Sequence, residues 1–234
     1  MTNEAIPKTH ILQLYAAVHI GDPQLYVCEA AVNGNLMGFL GKEENKSLFW
    51  PMFLQAAEGL RILHSNGMVH GGLKCTNILV GEDGEGNKVA KLSDFGFSFI
   101  RGLSIELSNH KNKAMTSAVR WKPKEMLQET TDANYRFAAD VYGLGMCMIE
   151  AITQEPPFGI EDDDAVTAQV IGGAAHHRPD GVSDAAWNLI SDLCSVDYRQ
   201  RPTLEQAVQR IGEMAASGSA VSADRTKATR KKGG

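Results

Sequence analysis

The sequence lacks the features of membrane, secreted and metal-cluster proteins. No stretch reaches 18 uncharged apolar residues, which predicts that no helix spans a membrane. The first ten residues, MTNEAIPKTH, contain no apolar segment of the kind found in signal peptides. The four cysteines, at 28, 75, 147 and 194, form no C-x-x-C pair, which argues against a zinc ribbon or a redox motif. Scattered thiols of this kind indicate buried small residues in a reducing compartment, so we expect a cytoplasmic protein.

Charge is distributed unevenly along the 234 residues. The net charge is −5, yet residues 215–234 contain five Lys/Arg and one acidic residue. The remaining body is therefore strongly acidic, which gives no reason to expect partners among nucleic acids or membranes. Residues 216–234 contain one large apolar residue, Val221, and are predicted to form a disordered basic tail because they cannot bury enough surface to become ordered. The TRKKGG end makes the nucleus the alternative location.

Hydrophobic periodicity and turn residues predict a mixed α and β chain. Asn66-Gly67 is expected to end the helix at 47–65, and Thr203 with Gln206 is expected to form a capping box at the last helix. The acidic run 161–164 lies near a helix start, where the dipole favours it, but we expect it mainly to form a solvated face. The predicted elements are strands around a turn at 11–32, a short helical piece after 33–35, a helix at 47–65, strands at 68–71, 77–81 and 88–94, a long loop at 97–135, and helices at 138–153, 184–195 and 203–215.

Several short motifs occur in a fixed order along the chain. The first is HGGLKCTN at 70–77, and Asp94-Phe95-Gly96 follows it, with Asp94 seventeen residues after Asn77. RWKPKE at 120–125, DVYGLG at 140–145 and Arg201-Pro202-Thr203 come later. Together and in this order they resemble the protein-kinase signature set, over about residues 8–215. The residues of the segments HGGLKCTNILV and RWKPKE are most similar to those of the tyrosine-kinase-like (TKL) group of serine/threonine kinases.

The resemblance implies a fold of the α+β class. We expect a protein-kinase-like domain at 8–215, with a remnant of the small lobe and the hinge at 8–32. The mostly helical large lobe is expected at 33–215, so only a stub of the small-lobe β-sheet is present. The match begins at Pro7-Lys8-Thr9-His10, and no G-x-G-x-x-G or V-A-I-K segment occurs. The chain therefore looks like an N-terminally truncated kinase domain or an incomplete chain of a longer kinase.

The catalytic loop departs from the family pattern at two positions. In the family, an Asp accepts the proton of the substrate hydroxyl, and the matching position here is Gly72, which cannot act as a base. The preceding Arg is replaced by Gly71, so control by a phosphorylated activation loop is not expected. The A-P-E region is altered as well, because Pro123 and Lys124 replace its first two residues.

Other residues keep the family pattern. Asn77 and Asp94 match the Mg²⁺ ligands, and Lys74 matches the lysine that contacts the transferred phosphate. Vestigial metal and nucleotide binding is one interpretation, and hydrogen bonding to the loop backbone is the other. No other metal site is expected.

The remaining matches point to structural roles. His70, Phe95 and Gly96 fall at hydrophobic-spine and motif positions, with Leu14 above them. The resemblance further implies a buried Glu125–Arg201 ion pair, and an Asp140 carboxylate that binds the catalytic-loop backbone. Two further features, Cys28 at the gatekeeper position and the His176-His177 pair, are expected to be structural or solvated.

The sequence therefore predicts a catalytically impaired pseudokinase that acts as an interaction or regulatory module in signalling. No cofactor is required for that role, and Mg-ATP binding is expected to be weak. The alternative is an active or weakly active ATP-dependent serine/threonine kinase, a phosphotransferase with a substitute base. We also expect a protein partner or self-association at the small-lobe end, where strand edges and spine residues would be open.

Overall fold

The computed structural model of the chain describes residues 10–18, 25–95, 119–128, 135–219 and 221. Gly96 and most of the predicted 97–135 loop lie outside these ranges. The elements are β1 (Leu14–Val18), β2 (Leu25–Cys28), α1 (Leu36–Leu40), α2 (Phe49–Ser65), β3 (Ile78–Glu82), β4 (Lys88–Leu92), α3 (Lys124–Leu127), α4 (Tyr135–Thr153), α5 (Asp163–Ile171), α6 (Asp184–Leu193) and α7 (Leu204–Ala216). Short 3-10 helices cover Glu43–Leu48, Cys75–Asn77 and Tyr198–Gln200.

The described strands form two separate antiparallel hairpins, as predicted for 11–32 and for 77–94. β1 pairs with β2, and β3 pairs with β4 through a register that joins Ile78 to Leu92. The Leu12 amide donates to the Leu92 carbonyl at 2.9 Å, and so ties the first hairpin to the second. The strand predicted at 68–71 is wrong, because these residues run as a loop whose amides bind a side chain.

Helix α2 confirms the prediction for 47–65 and ends where Asn66-Gly67 indicated. Gly67 has a φ of +70°, the left-handed conformation that glycine adopts readily. The Gly67 amide donates to the His64 carbonyl, and the Met68 amide donates to the Leu63 carbonyl. The helix packs against α7 and β4. Its Gly59 lies so close to the segment before β1 that an added Cβ would be 2.7 Å from the His10 carbonyl oxygen.

Helix α4 is the centre of the core and confirms the prediction for 138–153. Leu144, Met146, Met148 and Ile149 are all fully buried, as expected for a sequence that is apolar on every face. It contacts α1, α2, α3, α6 and α7. No helix in the described part of the chain has the length and apolar character needed to cross a bilayer.

The long loop predicted at 97–135 is only partly correct. Within that range, residues 119–121 form a 3-10 turn, α3 covers Lys124–Leu127, and α4 already begins at Tyr135. Helix α5 follows the predicted acidic start: Asp162 caps it by accepting from the Ala165 amide at 2.8 Å.

The last helix and the start of the tail are held against the body. The capping box of Thr203 and Gln206 is present at α7. Beyond α7, the Trp50 indole donates to the Ser219 carbonyl at 2.9 Å, and the Ser183 amide donates to the Val221 carbonyl at 2.8 Å. The beginning of the predicted 216–234 tail therefore has fixed contacts, while Ala220 and residues 222–234 lie outside the described part.

These elements make an α+β architecture in which a mostly helical body carries two small two-stranded sheets. This is the fold class expected from the sequence, with a reduced small lobe.

Candidate functional site

The carboxylate of Asp140 on α4 organises the catalytic loop. It accepts hydrogen bonds from the His70 amide at 2.8 Å and from the Gly71 amide at 2.9 Å. His64 on α2 contacts the same carboxylate at 2.9 Å through Nε2. Gly71 has a φ of +71°, a conformation that side chains rarely adopt. Asp140 therefore has the role that the resemblance implied, and His64 is a partner that the sequence motifs did not reveal.

The His70 ring is buried beneath the loop. Its Nδ1 accepts from the Gly72 amide at 3.3 Å, and burial lowers the pKa of the imidazole. A neutral ring with its proton on Nε2 satisfies both observations. Phe95 is half-buried and packs against the core. Leu14 is 51% exposed, so the residue expected above His70 and Phe95 is largely open to solvent.

Gly72, which the resemblance matches to the position of the catalytic base, contributes only backbone atoms to the site. Its carbonyl accepts from the Asn77 amide group at 2.8 Å. Beside it lies a small cavity of about 20 Å³, which Gly71, Gly72, Lys122 and Asp140 help to line. Asp140 is the sole carboxylate of that lining, and its oxygens already accept the bonds described above. Lys122 carries the other ionisable side chain of this lining, and burial lowers the pKa of its amine.

Asn77 and Asp94 are brought together by the second hairpin. Asn77 directly precedes β3, and its carbonyl accepts a hydrogen bond from the Ser93 amide at 2.9 Å. Asp94, the residue after Ser93, therefore lies close to Asn77. Asp94 is exposed and has a φ of +57°. In the described part of the chain, neither its carboxylate nor the Asn77 Oδ1 has a hydrogen-bond partner. Mg²⁺ binds carboxylate and amide oxygens, so these two side chains fit the ion. Lys74 is half-buried nearby and likewise has no described partner.

Glu125 and Arg201 form a buried, two-point ion pair between α3 and the segment before α7. Arg201 Nη1 lies 2.5 Å from Glu125 Oε1, and Nη2 lies 3.2 Å from Oε2. The two side chains are 1% and 4% exposed. Arg201 also donates to the carbonyls of Ala138 and Ser195. The pair fixes α3, and with it the altered A-P-E region, to the body.

A second buried carboxylate, Glu150 on α4, was not singled out from the sequence. It accepts from the Cys75 amide at 2.9 Å and from the Trp121 indole at 2.8 Å. Candidate metal-ligand atoms of Cys75, Cys147 and Glu150 lie within 4.8 Å of one another. Burial raises the pKa of both thiols, so they remain protonated and fill the core, as predicted for the cysteines. Only the fold reveals this cluster, because its members are up to 75 residues apart.

Arg120 connects the RWKPKE segment to the turn before α5. It pairs with Asp163 at 2.8 Å. Its guanidinium also donates to three backbone carbonyls in that turn, those of Pro157, Gly159 and Glu161. The turn is therefore held in one conformation by a side chain about forty residues earlier.

Comparison with known proteins agrees with this geometry. Residues 2–211 match the family described as "Protein tyrosine and serine/threonine kinase". The chain is 32% identical over 151 residues to "Mitogen-activated protein kinase kinase kinase 1a" of Physcomitrium patens, which covers 64% of this chain and 18% of the relative. It is 31% identical over 152 residues to "Aurora/IPL1-related protein kinase 2" of Caenorhabditis elegans, covering 65% and 45%. With "Protein-tyrosine kinase 6" of Homo sapiens it shares 29% over 208 residues, covering 86% and 44%.

The chain thus spans less than half of the length of each of these three relatives. The family match itself covers most of the chain, and the catalytic loop, the Asn77 and Asp94 side chains and the buried Glu125–Arg201 ion pair all lie within it. The chain therefore belongs to the protein kinase family.

Proposed function

We propose that this chain is a kinase-like domain without phosphotransferase activity of its own, which serves as an interaction or regulatory module. The observation that carries the proposal is Gly72 at the position of the catalytic base. The residues of the RWKPKE segment support placing the chain in the TKL group. Members of the family use Mg-ATP when active, and the side chains that would hold it here are Lys74, Asn77 and Asp94.

The loss of the base has a large expected effect on rate. General-base catalysis contributes about 10²–10⁴-fold, which corresponds to about 3–5 kcal/mol of activation free energy. Asp140 cannot substitute, because its carboxylate is committed to the His70 and Gly71 amides. The positioning of the loop is thus retained while proton transfer is lost.

Phosphotransfer from labelled ATP with Mg²⁺ to generic protein substrates tests the proposal. We expect the wild-type chain to incorporate no more label than Asp94→Ala, which removes a metal ligand. Gly72 is not among the described residues with a positive φ, and Gly72→Asp places a carboxylate at this position. Wild-type incorporation clearly above that of Asp94→Ala would refute the proposal.

The nucleotide is the second part of the proposal. We expect weak Mg-ATP binding, and a thermal-shift titration measures it. A ligand at 100 times its Kd stabilises a protein by about 2.7 kcal/mol, which is a rise of about 5–11 °C for a chain of this size. A saturating rise of that size at sub-millimolar Mg-ATP, absent in Asp94→Ala, would contradict weak binding.

One observation favours an active kinase as the alternative function. Lys122 lines the cavity beside Gly72, and burial lowers the pKa of its amine, which makes this amine the candidate substitute base. If the wild-type chain transfers phosphate, Lys122→Met should abolish the activity, and Lys124→Met, at a lysine two residues later that does not line the cavity, should not.

The exposure of the first hairpin supports the proposal that another protein chain covers it, either a partner or a second copy. Five large apolar side chains, spread over both faces of β1 and β2, are 46% to 61% exposed: Leu14, Tyr15, Leu25, Tyr26 and Val27. Contiguous exposed apolar surface usually marks an interaction site, and open strands offer unpaired backbone groups.

Light scattering on the purified chain tests this partner surface. We expect self-association that Tyr15→Lys with Val27→Lys reverses to a folded monomer, while the double variant Glu205→Lys with Glu213→Lys on the exposed face of α7 leaves it unchanged. A monodisperse monomer at tens of micromolar that binds no hydrophobic dye and captures no partner would contradict the proposal.

A further inference from the structure

A cavity of about 300 Å³ lies between the end of α4 and the loop that follows α5. Its walls include Pro156, Phe158, Ala174 and His176, and its rim carries Glu155 and Glu161. We call it the Glu155–Glu161 pocket. The volume is at the lower end of the range for ligand sites, and such sites combine apolar walls with a few polar groups. This pocket has that composition.

The pocket is built on a turn that the fold holds fixed. Arg120 binds the carbonyls of Pro157, Gly159 and Glu161 from beneath. Phe158 has a φ of +68°, and its amide donates to His176 Nε2 at 3.3 Å. Positive φ at a bulky residue persists only where the surroundings impose it. The pocket is therefore preorganised and does not have to form around a ligand.

The charge of the pocket is negative and unbalanced. The carboxylates of Glu155 and Glu161 have no cationic partner in the described part of the chain. The Glu161 carboxylate accepts from the Gln169 amide group, and the nearby Arg120 is paired with Asp163. His176 Nδ1 contacts the His177 carbonyl at 2.7 Å, and burial lowers the pKa of the ring. The imidazole therefore adds no positive charge. Two carboxylates above an apolar wall suit the amine or guanidine of a Lys or Arg, whose methylene stem can lie on the wall.

A basic segment of this chain starts close to the pocket. Residues 222–234 contain five Lys/Arg and one Asp, and the preceding Val221 accepts from the Ser183 amide. Ser183 is six residues after His177 in the pocket wall, which limits their separation to about 22 Å. Thirteen residues reach up to about 45 Å, so the segment is long enough to cross from Val221 to the pocket.

From these observations we propose that the Glu155–Glu161 pocket binds the basic segment 222–234 of the same chain, with a Lys or Arg side chain seated between the two glutamates. Attachment at Val221 makes the binding intramolecular, so a short linker supplies an effective concentration of the order of millimolar. Weak charge pairs are then sufficient for occupancy. The inference is independent of phosphotransfer, because neither glutamate belongs to the catalytic loop or to the metal-binding pair.

Zero-length carbodiimide crosslinking of the full chain, with mass spectrometry of the monomer fraction, tests the proposal. The reagent joins a lysine to a carboxylate that it contacts. We expect Lys227, Lys231 or Lys232 to be joined to Glu155 or Glu161, with a yield that falls as salt rises because exposed charges are screened.

Two sets of variants make the result specific. Arg225→Gln with Arg230→Gln keeps every crosslinkable lysine but should lower the yield, because it removes two of the five positive charges. Glu155→Gln with Glu161→Gln should shift the lysines to other acidic groups, whereas Glu205→Gln with Glu213→Gln on α7 should leave the original crosslinks in place.

Three outcomes would overturn the proposal. The first is crosslinks confined to Asp180 and Asp184, beside the attachment point, because the segment would then remain near Ser183 without reaching the pocket. The second is crosslinks found only between molecules, which would indicate that a second copy is the occupant. The third is an unchanged yield in Arg225→Gln with Arg230→Gln.

Discussion

Loss of the Glu125 carboxylate should be among the most destabilising single changes in this chain. In Glu125→Ala, the Arg201 guanidinium would keep its hydrogen bonds to the carbonyls of Ala138 and Ser195. It would also keep its contact with the Tyr142 ring, whose centroid is 5.0 Å away. It would lose both bonds to its counter-charge at a site where its side chain is 1% exposed. Arginine does not deprotonate in proteins, so an uncompensated buried charge remains.

The expected cost follows from this burial. Removing one partner of a buried ion pair costs about 3–5 kcal/mol, which is a fall in Tm of about 6–20 °C for a chain of this size. The matched control is Asp192→Ala, which breaks the Arg210–Asp192 pair, whose side chains are 36% and 54% exposed. Exposed ion pairs contribute about 0–1 kcal/mol to stability, so the control variant should hardly change the midpoint of unfolding.

Urea unfolding followed by circular dichroism measures both variants. The double variant Glu125→Leu with Arg201→Met should recover much of the stability, since apolar residues can replace a buried pair at little cost. Equal losses for Glu125→Ala and Asp192→Ala would refute the reasoning. A double variant less stable than Glu125→Ala would also refute it, because the penalty would then not come from the unpaired charge.

Three further predictions concern burial and close packing. In the native chain, a thiol reagent at pH 8 should modify Cys28, which lies on the exposed first hairpin, well before Cys75, Cys147 and Cys194, because burial raises the pKa of those three thiols; uniform labelling would contradict this. Burial holds the pKa of His70 below its usual 6.5, so the unfolded chain binds more protons and stability should fall as pH drops below about 6.5; His70→Leu should flatten this dependence in urea titrations. Gly59→Ala should lower Tm, because the new Cβ would lie 2.7 Å from the His10 carbonyl oxygen, whereas Gly212→Ala, whose Cβ meets its nearest atom at 3.8 Å, should raise it slightly; equal shifts would argue against the close approach.

Local patterns in the sequence determined most of the elements. The 3.6-residue periodicity of 47–65 and 203–215, the Gly67 stop and the capping box at Thr203 each depend on neighbours within one or two helical turns, and all are present. The motif order also predicted the fold class and the family. The strand predicted at 68–71 failed because its amides have a distant partner, Asp140, that no local pattern reports.

The tertiary structure decided which groups meet. The Glu150 carboxylate accepts a hydrogen bond from the Cys75 amide, which lies 75 residues earlier in the chain. Arg120 fixes a turn about forty residues later by binding its carbonyls. Val221, in a segment predicted to be a disordered tail from its composition, is held at Ser183. The sequence alone predicted the loss of the base at Gly72, because a missing side chain needs no neighbour to be recognised. The acidic pocket at Glu155 and Glu161 required the fold, because a cavity is formed by surfaces that are distant in sequence and its charge depends on which carboxylates lack a cation beside them.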